Sequence, residues 1–168
     1  MKRAAALFFS ILILFFSFSS CSNKKSSSTS CRDVIIALTS CEVGLPAGSI
    51  YCLTAEYGSD EYLTDSLISS LLGNGKMPEI CESWVDAAFF LALKDHPCEF
   101  AVIRCHDRDA AIDTAKLLAA RLASSRLVKG DSDYFDDASV TVIGSFALLI
   151  ISSDRDKALK IAKSLLPY

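Results

Sequence analysis

The apolar pattern of residues 31–168 predicts a single α+β domain, with elements in the order α-β-α-ββ-α-ββ-α. Three observations carry that expectation. Residues 84–105 and 140–151 each read as a β-hairpin, a strongly helical stretch separates them, and an amphipathic helix closes the chain. Hairpin arms pair antiparallel across short connections. The strands are therefore expected to form one mainly antiparallel sheet of about five strands, with helices packed on it.

The first element follows Asp33, where positions 34, 35, 38 and 41 share one helical face. Val34, Ile35 and Ile36 are β-branched, which weakens the helical signal there. Gly44-Leu45-Pro46-Ala47-Gly48 is a turn, and residues 49–55 read as a strand. Ser59 or Asp60 is expected to cap a helix in which Leu63, Leu67 and Leu71 recur four apart, ended by Gly73-Asn74-Gly75.

Residues 84–93 and 99–105 form the arms of the first hairpin, joined at Lys94-Asp95-His96-Pro97. Asp107 then caps a helix with a stripe of Ala111, Ala115, Leu118 and Leu122. Residues 130–137 read as an acidic loop, and Ser153-Asp154-Arg155-Asp156 opens the last helix with carboxylates at its positive end.

The second hairpin turns at Gly144-Ser145, where Gly in the first turn position suits type II′. A two-residue turn places Val142 opposite Ala147, Val140 opposite Leu149, Ile143 opposite Phe146 and Thr141 opposite Leu148. Val140, Val142, Ala147, Leu149 and Ile151 then share one face; Thr141, Ile143, Phe146, Leu148 and Ile150 share the other. Both faces are apolar, so both need cover, from the first helix, from the other hairpin or from a partner protein.

Ahead of the domain, Met1-Lys2-Arg3 is basic and Ala4 to Phe18 is apolar except for Ser10 and Ser17. Fifteen helical residues fall short of a hydrocarbon core of roughly 30 Å, so the run reads as a signal peptide, residues 1–20. It ends in Phe18-Ser19-Ser20-Cys21, which resembles the lipobox of bacterial lipoproteins, with Phe18 standing where Leu is usual. That resemblance implies a diacylglycerol thioether on Cys21 and cleavage before it; ordinary cleavage near Ser19 is the alternative. Residues 22–30, polar throughout, read as a tether.

Without Lys2 and Arg3 the chain holds 15 basic and 20 acidic residues, a net charge near −5. A mildly acidic domain without a basic patch argues against nucleic acid as a partner. Besides Cys21 there are Cys31, Cys41, Cys52, Cys81, Cys98 and Cys105, an even number that permits disulfides in an exported protein without naming their pairing.

Residues 33–166 resemble a family of uncharacterised lipoproteins from clostridia and their relatives. The resemblance rests on Leu45-Pro46, on His96-Pro97-Cys98-Glu99-Phe100-Ala101 and on Ile150-Ile151-Ser152-Ser153-Asp154. It implies an extracytoplasmic lipoprotein and brings no activity, cofactor or catalytic residue.

The most chemical stretch is His96-Pro97-Cys98 with Cys105-His106-Asp107. A zinc site would need both Cys and both His to converge, but a strand of about seven residues, near 20 Å, is expected between the pairs. Cys105 and His106 are neighbours on opposite faces of a strand, a poor dyad. Asp131, Asp133, Asp136 and Asp137 lack the Gly and Glu of a calcium loop and read as a solvated cluster. No motif asks for a cofactor or a metal. The expected role is a membrane-anchored extracytoplasmic binding domain, engaging the membrane through Cys21 and another envelope protein through its surface. The alternative is an enzyme using the thiol of Cys98 or Cys105.

Overall fold

The computed structural model describes residues 29–93, 96–130 and 132–167. Five strands make one antiparallel sheet in the order β1-β2-β3-β5-β4: β1 Gly48–Cys52, β2 Trp84–Ala92, β3 Glu99–Cys105, β4 Ser139–Ile143 and β5 Phe146–Ile151. The helices are α1 Cys31–Cys41, α2 Asp65–Leu72, α3 Arg108–Lys129, α4 Asp133–Asp136 and α5 Arg155–Leu165, with a 3-10 turn at Glu79–Ser83. The α+β class and the sheet of five antiparallel strands agree with the sequence expectation.

Alternation along the strands sorts the side chains into two cores. Ala88, Phe90, Phe100, Val102, Phe146, Leu148 and Ile150 pack under α1 and α5. Ala87, Phe89, Ala101, Ile103, Ala147, Leu149 and Ile151 pack on the other face, with Ile68 of α2 and Ala111 and Leu118 of α3. Every residue of β5 is buried, because helices cover it on both sides. The second face of the last hairpin is thus covered within the chain, and a partner protein is not needed there.

The last hairpin has the expected register: Ile143 opposite Phe146, Thr141 opposite Leu148, Val142 opposite Ala147 and Val140 opposite Leu149. Gly144 sits at φ +56°, the left-handed region that glycine occupies without a steric penalty. Asp107 caps α3 by accepting from Ala110 N–H at 2.8 Å, and Asp154 caps α5 by accepting from Lys157 N–H at 3.0 Å.

Three local expectations need correction. The second helix starts at Asp65 and is capped by Thr64, whose side chain accepts from Leu67 N–H, so neither Ser59 nor Asp60 caps it. Leu63 precedes that helix and is buried beneath it: its N–H donates to Cys52 C=O, holding the connection against β1. Within the acidic stretch, Asp133–Asp136 forms a helical turn, because Phe135 is drawn into the core. The first strand stops at Cys52, where the chain turns, and does not run to residue 55.

Strand and helix directions give the domain two ends. Ser30, which caps α1 by accepting from Asp33 N–H, marks the end where the chain enters, together with Asp86, Cys105 and the Gly144-Ser145 turn. The opposite end holds Glu42, Gly48, Leu93, Glu99, Ser152 and the C-terminus of α3.

Candidate functional site

Cys21 lies outside the described residues, as do Lys94, Asp95 and Asp131. The side chain of Cys41 does as well. The remaining sequence-predicted candidates do not come together. Cys98 and Cys105 stand at opposite ends of β3 and on opposite faces of the sheet: Cys98 belongs to the core under α1 and α5, Cys105 to the core under α3. Both are buried.

Around Cys105, Thr114 Oγ1 lies 3.4 Å from the sulfur and also accepts from Trp84 Nε1 at 3.0 Å. Burial raises the Cys105 thiol pKa, with hydrogen bonds from Thr114 and Ser83 opposing it. That is the reverse of what an attacking thiolate needs. His106 is exposed, and its main-chain N–H donates to Ser83 C=O at 3.0 Å. Near Cys98, His96 Nδ1 accepts the Cys98 main-chain N–H at 3.2 Å, and the His96 ring meets Tyr134 edge-on at 5.0 Å.

Cys31, Cys52, Cys81 and Cys105 are free thiols. Burial raises each of their pKa values, that of Cys81 to about 11, and Cys31 feels the Asp86 carboxylate in addition. Among the described residues no group of three or more His, Cys, Asp or Glu side chains is placed to hold a metal ion. No described helix is long and apolar enough to cross a membrane.

The dense polar contacts lie elsewhere, at three carboxylates that pattern reading passed over. Glu42, which caps the end of α1, accepts from both serines ahead of α5: Ser152 Oγ on Oε2, and Ser153 Oγ and N–H (2.9 Å) on Oε1. Tyr134 adjoins this clasp; burial first, then the Glu42 charge, raises its phenol pKa. At the entry end, buried Asp86 accepts Cys31 N–H at 2.8 Å, while its own carbonyl lies 3.5 Å from the Cys31 sulfur. Arg104 faces it across the β2–β3 pair, with a buried Nε that has no hydrogen-bond partner among the described residues. On the other face of the sheet, buried Glu99 takes a two-pronged bond from Arg121 of α3, at 3.0 and 2.9 Å.

Each of these carboxylates ties a helix to the sheet across a large sequence separation. Both Glu42 oxygens are engaged by neighbours, so the group is a clasp and not a poised base. The only advance signal was a single acidic residue set among apolar ones, which an exposed residue of a half-buried strand gives equally. Comparison of the chain with protein-family models, with curated proteins and with solved structures gives no match.

Proposed function

We propose that this protein is a lipoprotein anchored through Cys21 to the outer face of the cell membrane, whose folded domain binds another envelope protein and carries out no chemistry itself. The resemblance to uncharacterised clostridial-type lipoproteins belongs to the same reading. The observation that carries the binding role is the distribution of exposed apolar side chains. Among the described residues five large apolar side chains are more than half exposed. Four of them, Val43 (84%), Leu93 (59%), Leu127 (86%) and Val128 (84%), stand at the end opposite Ser30, where the chain enters, and the fifth, Tyr57 (86%), stands toward the entry end. Lys129 Nζ reaches His96 C=O at 2.7 Å, which fixes the end of α3 beside the β2–β3 connection. Large apolar groups gathered in water at one end of a domain are more typical of contact surfaces than of catalytic clefts.

Burial of both Cys98 and Cys105 weighs against the thiol-enzyme alternative. The binding role is tested by crosslinking in intact envelopes followed by capture of the protein. A specific partner is expected with the parent and is lost when Leu127 and Val128 are changed to Ser; capture that ignores this change speaks against the proposal. Cys21→Ala tests the anchor: the parent partitions into detergent, and the variant is expected in the aqueous phase.

A further inference from the structure

The two outer strands of the sheet are finished differently. The free side of β1 is partly closed by its own chain: Cys52 N–H donates to Glu61 C=O at 2.7 Å, and Leu63 N–H donates to Cys52 C=O at 3.0 Å. β4 pairs with β5 alone, and among the described residues no strand lies on its outer side. Its sequence, Ser139-Val140-Thr141-Val142-Ile143, has no Lys, no Pro and no charge, the usual guards of an open edge.

The direction of its main-chain groups follows from the register. Ile143 and Phe146 close a two-residue turn and exchange both hydrogen bonds, so Thr141 and Ser139 also bond inward to β5. Ser145 C=O accepts Cys105 N–H at 2.9 Å, so odd-numbered residues of β5 turn to β3 and even-numbered ones to β4, as this alternation requires. The N–H and C=O groups of Val140 and Val142 therefore point out of the sheet edge.

From this geometry we infer that β4 is a self-association edge: a second copy of this chain pairs antiparallel with it about a two-fold axis at Thr141. That register sets Val140 of each copy opposite Val142 of the other, so the outward main-chain groups meet as hydrogen-bonded pairs, and it brings the two Thr141 residues face to face. The two sheets join into one of ten strands, and the chain entries of both copies open in the same helical layer, that of α1 and α5.

Charge favours this occupant. In the paired register exposed Asp137 comes level with Ser145 of the second copy. Arg108 opens α3 three residues past Cys105, which holds Ser145. Arg108 stands eighteen residues, five helical turns, before Arg126, hence on the same side of α3. Arg126 bonds Asp136 at 3.0 Å, so that side faces α4 and β4. Each copy then offers an acid at one end of β4 and, at the other, an exposed Arg on the β4 side of α3, with Asp107 turned to cap Ala110 N–H and Asp109 about 100° further round the helix. An antiparallel two-fold pair satisfies that arrangement twice.

The test is sedimentation of the full chain in detergent at micromolar concentration, together with three changes at the axis. The parent is expected at twice the monomer protein mass, and Thr141→Cys is expected to give a reducible dimer that the parent does not form. Thr141→Lys, which sets two like charges face to face, is expected to be monomeric. Mixing Thr141→Lys with Thr141→Glu is expected to restore the doubled mass, which a misfolded variant could not do. A monomeric parent, a Thr141→Lys protein that stays dimeric, or a Lys/Glu mixture that stays monomeric overturns the inference. The first of these also covers the case in which an extended segment of a different protein is the natural occupant of the edge.

Discussion

The two ends of the domain are held by buried carboxylates that accept from different kinds of donor. At the entry end Asp86 takes the main-chain N–H of Cys31, the first residue of α1, at 2.8 Å, with Thr54 Oγ1 as a longer second donor at 3.5 Å, so the helix is fixed just where the chain arrives. At the far end Glu42 and Glu99 take mostly side-chain donors, Ser152 and Ser153 in one case and Arg121 in the other. A main-chain donor has one direction and no substitute, whereas hydroxyls rotate and can find water. The entry end is thus bound chiefly by a donor that cannot be re-partnered, the Cys31 N–H. The far end is bound by groups that can, and it also holds four of the five large apolar side chains that are more than half exposed among the described residues.

The largest expected effect tests the exception at the far end, the Glu99–Arg121 pair. Arg121→Leu strands a carboxylate that is 1% exposed. The loss is expected to be about 3 to 5 kcal/mol in urea unfolding. The double change Glu99→Leu with Arg121→Leu is expected to recover most of it, since an apolar pair needs no desolvated charge. A single change costing under about 1 kcal/mol would mean that water reaches Glu99 and that this end is looser than its contacts imply.

The other two carboxylates sharpen the contrast directly. Asp86→Ala is expected to cost about 2 to 3 kcal/mol, because it leaves Cys31 N–H buried without an acceptor. Glu42→Gln, which keeps one acceptor oxygen and leaves two hydroxyls able to turn, is expected to cost about 1 to 2 kcal/mol. Equal losses, measured in the same denaturant series, would remove the distinction between main-chain and side-chain fixing.

Much of this fold was legible because its cues are local. The register of the last hairpin follows from two turn residues, and its two apolar faces announced a strand covered on both sides, which β5 is. Asp107 and Asp154 were readable as caps because a cap bonds within three residues. The second helix misled because Ser59 and Asp60 offer the same cap chemistry as Thr64, and only the bonds that Cys52 makes to Glu61 and Leu63 fix where the helix begins. The carboxylate contacts were not legible: Glu42 lies 110 residues from Ser152, and Asp86 lies 55 from Cys31. Nothing in composition or spacing links residues so far apart. The same limit applies to the candidate thiols, since only the parity of β3 and its helical cover reveal that Cys98 and Cys105 belong to different cores.

The smallest expected effect bears most on function. Leu127 and Val128 are large apolar residues in the last turn of α3, yet both point into water, while Leu118 of the same helix is wholly buried. Changing Leu127 and Val128 together to Ser is expected to alter stability by no more than about 0.5 kcal/mol, the ordinary range for surface positions. Leu118→Ala is expected to cost about 3 kcal/mol through lost burial and a cavity. If the exposed pair proves costly to remove, those side chains pack against the chain in solution, and the far end loses its claim as the contact surface. If they are neutral for folding yet required for capture of a partner, their retention has no structural reason, and the far end is where the domain meets that partner.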